Sequence, residues 1–158
     1  MESRVWAGVV AGAAGTVALN IATYADMALR GRPASEVPDK LAGALADQAG
    51  VDLRGSGPDA EKTASNRRTG IGSLMGYGTG LGVGIAYGLV RPQIDDLPPV
   101  IASVVVGLAA MATSDLPATL SGATDPATWG ASGWLSDVGF HLVYGFATVM
   151  TYDALVDN

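Results

Sequence analysis

Charged residues are absent from four stretches of this chain, Val5 to Ala25, Thr69 to Val90, Leu97 to Ser114 and Val138 to Tyr152, and gather in the segments between them. A helix rises about 1.5 Å per residue, so about twenty residues match the roughly 30 Å hydrocarbon layer of a bilayer. The pattern predicts an all-α integral membrane four-helix bundle, one domain over residues 1–158, with helices over about 5–29, 70–90, 99–114 and 134–155. The connection over about 30–69 is rich in Pro, Gly and Ser at both ends. Within it, Pro38 to Ala49 sets Val37, Leu41, Ala44 and Leu45 on one side, which predicts a short amphipathic helix on the membrane surface or folded over the bundle. Pro117 lacks the N–H that an α-helix needs, so helix three is expected to kink there or to end at Asp115.

The segment Gly70 to Val90 carries the densest pattern. Gly72, Gly76, Gly80, Gly84 and Gly88 form a GxxxG ladder, and Gly78, Gly82 and Ala86 form a second row about 200° round the same helix. Flat surfaces of this kind let helix backbones approach closely in a membrane. Two flat sides predict a position at the bundle centre, with Gly8 and Gly12 of helix one as natural partners. Ser103 and Gly107 form a similar small pair on helix three. Thr79-Gly80 and Gly84-Ile85-Ala86 brush against a dinucleotide-binding pattern, but no strand precedes them and the chain has no Tyr-x-x-x-Lys. A glycine-rich strand pair is disfavoured because glycine weakens strands.

Composition sharpens this picture. Of the 158 residues, 49% are hydrophobic and only 15% charged, against about 25% charged in ordinary soluble domains. The net charge of −6 argues against a nucleic-acid partner. Cysteine is absent, which excludes disulfides, thiolate catalysis and Cys-based metal sites. The first apolar run is longer than a signal-peptide core and has no clean cleavage site before Asp26, so it is expected to remain as helix one. Arg30, Arg32, Lys40, Arg54, Lys62, Arg67 and Arg68 are seven of the nine basic residues. The positive-inside rule therefore puts the long loop in the cytoplasm and both termini outside. Trp129 and Trp134 are expected at the headgroup level.

Candidate chemistry collects at that cytoplasmic side. Asp26 is expected to end helix one, Asp115 to end helix three and Asp137 to begin helix four. Asp137 and His141 share a face, with Tyr144 three residues on, and Asn20 points inward from helix one beside Thr16 and Thr23. These six residues, Asp137, His141, Tyr144, Asn20, Asp115 and Asp26, form a candidate ligand or proton pathway, since histidine titrates near pH 6.5 and membrane-embedded charges face the bundle interior or water. The alternative is structural: Asp137 favours a helix N-terminus, Asp115 caps a broken turn, Asp26 pairs with Arg30, and Asn20 and His141 bond neighbouring helices. No cofactor is expected. Haem would need Met75, Met111 or Met150 opposite the lone histidine, the carboxylates have no recognised metal spacing, and no nucleophile elbow is present. An enzymatic role is therefore not expected.

A small-residue first helix with an internal asparagine, a charged loop, a glycine-rich second helix and His141, Tyr144 and Gly145 on the last helix resemble small uncharacterised four-helix bacterial inner-membrane proteins, one enterobacterial relative of which is linked to acid resistance. The resemblance implies a compact membrane bundle and no assigned reaction. Two roles follow as expectations. One is a bundle with its own polar site, moving a proton or small solute or binding a lipid or quinone. The other is a non-catalytic accessory or scaffold subunit of a larger membrane complex. Membrane lipids are the expected partners, with a homo-oligomer or larger complex if a glycine row is left uncovered.

Overall fold

The computed structural model describes residues 2–156, which form five α-helices and no strand. They are α1 (Glu2–Arg30), α2 (Val37–Gln48), α3 (Ala60–Val90), α4 (Pro99–Leu120) and α5 (Gly130–Val156), with single 3-10 turns at Arg91–Gln93 and Pro126–Thr128. Four long helices make the bundle, and α2 packs across the ends of α3 and α4. By length and composition, α1 and α4 are apolar enough to cross a membrane, two of the four expected spans. Glycine contributes almost no apolar surface to α3, and α5 carries Asp137, His141 and Asp153.

Three helices are longer than their sequences suggest. The second bundle helix begins at Ala60 rather than near 70, because Ala60, Glu61, Lys62 and Ala64 are good helix formers immediately after the Pro58-Asp59 turn. Helix three does not end at Asp115; α4 runs through Pro117 to Leu120. Just before the proline, Thr113 Oγ1 donates to the Ala109 carbonyl, and Ser114 Oγ lies 2.9 and 3.2 Å from the Met111 and Ala110 carbonyls, side-chain bonds of the kind that bend a helix. Helix four begins at Gly130, so Asp137 lies about two turns inside α5 and not at its start.

α1 and α5 form the middle of the bundle. Each packs extensively on the other, α3 packs chiefly on α1 and α2, α4 chiefly on α5, and α3 meets α4 over a smaller area. α3 is covered along one of its two glycine rows, so the close neighbours expected on both flat sides are not found. One row is covered: a Cβ at Gly84 would stand 2.5 Å from Gly12 Cα, one at Gly8 2.6 Å from Gly84 O, and one at Gly12 2.6 Å from Gly80 O. Gly88 meets Arg4 and Gly8, and Gly80 meets Thr16. The ladder then diverges, with Gly72 against Pro38 of α2 and Gly76 against nothing within 4 Å. Gly78 and Gly82, in the second row, are also open. Between α4 and α5 the same device recurs, with Gly107 against the His141 carbonyl and Gly145 against Ser103 and Gly107.

Bare glycine carbonyls also serve as acceptors across the bundle. Tyr144 Oη donates to Gly80 O at 2.6 Å and Tyr152 Oη to Gly88 O at 3.0 Å. Eight residues separate both the donors and the acceptors, so parallel α3 and α5 are tied twice at one register. At the end carrying Arg4, Arg91 of the α3–α4 turn pairs with Asp153 of α5 at 3.2 Å. Tyr87 and Tyr152 pack edge to face there, centroids 5.2 Å apart.

The interior is small and the exterior large. Among the described residues, seven of the thirteen buried apolar side chains are alanines, while Leu, Ile, Val and Phe residues such as Ile21, Leu74, Val100, Val105 and Phe146 face outward.

Candidate functional site

The dry core of the bundle is confined to the half nearest Arg4 and Arg91. It comprises Ala7, Ala11, Tyr87, Ala102, Val106, Ala110, Tyr144, Val149 and Tyr152. Beyond Tyr144, toward the long connection, no residue of 17–30, 73–79, 111–117 or 130–143 is buried. Burial resumes only where α2 packs, at Leu41, Ala42, Ala64, Gly72 and Ala118. Between Tyr144 and α2 the polar residues of the bundle, Asn20, Ser114, Asp115, Asp137 and His141 among them, are thus only half-buried.

In this stretch α4 and α5 bring four side chains together. His141 Nδ1 lies 2.9 Å from the Asp137 carbonyl oxygen and 3.4 Å from Asp137 Oδ1. His141 Nε2 lies 3.3 Å from Ser114 Oγ. Ser114 Oγ is 3.4 Å from Asp115 Oδ1, and Asp137 lies near enough to Asp115 for their charges to interact. The four side chains form a loose ring. It forms because Gly107 and Gly145 draw α4 and α5 together just beyond it, and because α4 continues past Asp115. His141 is 13% exposed and Asp137 24%, while one oxygen of each carboxyl, Asp115 Oδ2 and Asp137 Oδ2, is buried without a hydrogen-bond partner.

The remaining sequence candidates fall elsewhere. Tyr144 follows one turn deeper, but its hydroxyl is committed to Gly80 O. Asn20 is half-buried on α1, and its side chain makes no hydrogen bond among the described residues. Asp26 is not in the ring; it accepts hydrogen bonds from Arg32 and, at 3.3 Å, from Arg30. Lying beyond the uncharged run 5–25, its carboxyl is held below the usual carboxylate range, chiefly by the Arg32 guanidinium. Arg30 reaches on to Ser132 and Ser136 at 2.8 and 3.1 Å, fastening α1 to the start of α5. Arg32 lies 5.6 Å over the Phe140 ring. Arg68 lines a groove of about 510 Å³ with Lys40, Asp47, Ser65 and Ser121 at the α2 end.

Ser114 and Tyr152 were not singled out by sequence. The charge pattern makes Ser114 the last residue of its helix, whereas α4 continues to Leu120. The signal for Tyr152 was the match between the Tyr144/Tyr152 interval and the Gly80/Gly88 interval. No group of three or more His, Asp or Glu arranged to hold a metal ion occurs among the described residues.

No family model, curated protein or solved structure matches this chain. The geometry of the ring and of the surface around it therefore carries the functional argument.

Proposed function

We propose that this protein is a small polytopic membrane protein that binds a proton or a small polar solute at the Ser114, Asp115, Asp137 and His141 ring, which it admits from the side of the long connection. The membrane reading is supported by the inverted distribution of side chains, since an exterior of Val, Leu, Ile and Phe over an alanine and glycine interior suits hydrocarbon and would be costly in water. The seven basic residues of the long connection and its flanking helices lie at the α2 end, which by the positive-inside rule supports a cytoplasmic position for that end. The shared layout with small four-helix inner-membrane proteins supports the same reading. The observation that carries the site is the pair of buried acceptor oxygens in the ring. Polar groups at such depth are expensive without partners and are retained where a ligand or proton completes them.

The absence of cysteine makes the test direct. Single-cysteine variants S56C, S136C, D96C and T148C are treated with a membrane-impermeant maleimide in sealed inverted vesicles. S56C and S136C react, D96C reacts only after permeabilisation, and T148C, which is buried, stays unlabelled. Equal labelling of all four, or a chain that remains dissolved without detergent, refutes the reading.

A second reading, an accessory subunit that docks other helices, is favoured by the uncovered Gly78 and Gly82 row on α3.

A further inference from the structure

Two arginines close on a single carboxylate where α1 ends. Arg30 Nη1 donates to Asp26 Oδ1 at 3.3 Å, and Arg32 Nε donates to Asp26 Oδ2. Arg30 also donates to Ser136 Oγ at 3.1 Å and to Ser132 Oγ at 2.8 Å, both on α5. One arginine and one carboxylate suffice for that strap, so the second arginine leaves the cluster with a surplus positive charge. The acids on the α5 side are engaged elsewhere: Asp125 accepts from the Ala127 amide, and Asp137 lies 3.4 Å from His141. Arg32 carries the surplus. Its Nη1 donates to the Pro33 carbonyl, while its Nη2 has no hydrogen-bond partner among the described residues. Its guanidinium lies 5.6 Å over the Phe140 ring, and the side chain is only 25% exposed. A guanidinium partly withdrawn from water, with an N–H edge still open, is suited to a phosphate.

We propose that Arg30 and Arg32, with the Ser132 and Ser136 hydroxyls, hold the phosphate of an anionic phospholipid at the α2 end of the bundle. A phosphodiester carries one negative charge and cancels the surplus, whereas a zwitterionic headgroup brings its own cation and does not. Guanidinium nitrogens can only donate, so both serine oxygens accept from Arg30 and keep their hydroxyl hydrogens for an anion. The flanks of the cluster favour a lipid over a free anion. Leu29 and Leu135, the residues before Arg30 and Ser136, are 88% and 76% exposed. Acyl chains cover such side chains, and inorganic phosphate does not. Trp129 and Trp134, ring centroids 5.0 Å apart, precede Ser136 on the same stretch, and tryptophan concentrates at headgroup depth.

This site is separate from the ring and rests on the membrane reading proposed above. The test uses the full chain carrying Trp6→Phe, which leaves Trp129 and Trp134 as the only tryptophans. The protein is reconstituted in phosphatidylcholine vesicles with increasing fractions of acyl-brominated phosphatidylglycerol or acyl-brominated phosphatidylcholine, since bromine quenches tryptophan fluorescence on contact. The anionic lipid reaches half-quenching at a several-fold lower fraction than the choline lipid. Arg32→Gln, which leaves the Arg30 strap to α5 in place, lowers that preference about fivefold, the contribution of one arginine near a membrane surface. Arg54→Gln, which removes an exposed arginine of the same connection, keeps it. Equal quenching by the two lipids overturns the proposal, and this comparison decides even if a variant does not fold. An equal loss in Arg32→Gln and Arg54→Gln reduces the preference to general surface charge and also overturns it. Inorganic phosphate that abolishes the preference at constant ionic strength assigns the site to a free anion and overturns the lipid. A chain that inserts but shows no preference removes this proposal alone, whereas a chain that stays dissolved outside the vesicles removes the membrane reading.

Discussion

Adding one methyl group to α3 should have opposite effects at positions two residues apart. At Gly84 a Cβ would lie 2.5 Å from Gly12 Cα and 2.6 Å from Gly12 N. Carbon atoms settle at about 3.5–4.0 Å, so α1 and α3 must separate by about 1 Å, and no flexible side chain is there to yield instead. Overpacking of this kind costs about 1–3 kcal/mol. Separation would also strain the Tyr144 and Tyr152 bonds to Gly80 and Gly88, worth about 0.5–1.5 kcal/mol each. The expected loss for Gly84→Ala is therefore about 2–4 kcal/mol. At Gly82 nothing lies within 4 Å, and alanine gains about 0.5–1 kcal/mol over glycine in a helix interior. Reversible unfolding of both variants in mixed detergent micelles, followed by circular dichroism, gives the two free energies. Equal values, or a Gly82→Ala protein less stable than Gly84→Ala, would refute the packing described for α1 and α3. A Gly82 effect seen only in cell membranes would instead reveal a partner covering that row.

Tyr144→Phe and Tyr152→Phe should each lose about 0.5–1.5 kcal/mol, because the glycine carbonyls keep their helical partners; a double variant with wild-type stability in the same unfolding assay would show the cross-bundle bonds to be idle. Asp153→Asn leaves Arg91 partly buried beside a neutral group, and a loss of about 1–3 kcal/mol is expected, between exposed and buried ion pairs. His141→Ala should unfold within a few degrees of the wild type, since Gly107 packs on the His141 backbone and not on its ring; a collapse of the helical spectrum would contradict that placement. For Asp26, whose folded pKa is lowered by Arg32 and Arg30, the clamp contributes fully above the unfolded value near about 4 and is lost as pH falls through the lowered value. Asp26→Asn should remove that acid limb from a pH titration of stability, and an unchanged limb would assign it to other carboxylates.

Much of the architecture was legible because apolar helices and charged connections differ so sharply in composition. Helix number, the α2 amphipathic segment and the pairing of Gly8 and Gly12 with the α3 ladder follow from spacing alone. Helix ends did not, and that mattered for the site. A proline is read as a stop, yet α4 passes Pro117, so Asp115 sits within a helix and faces Asp137 rather than capping a turn. Which of two glycine rows is covered is equally invisible in one sequence, because α1 could have packed on either. The Asp137, His141 spacing pointed to the site, whereas Ser114 and the carboxyl pair required the relative register of α4 and α5.

Tyr144 is locked onto Gly80 one turn beyond His141. That bond stands between the polar side chains near α2 and the alanine and tyrosine interior near Arg4, so nothing could pass from one end of the bundle to the other along this line without first breaking it.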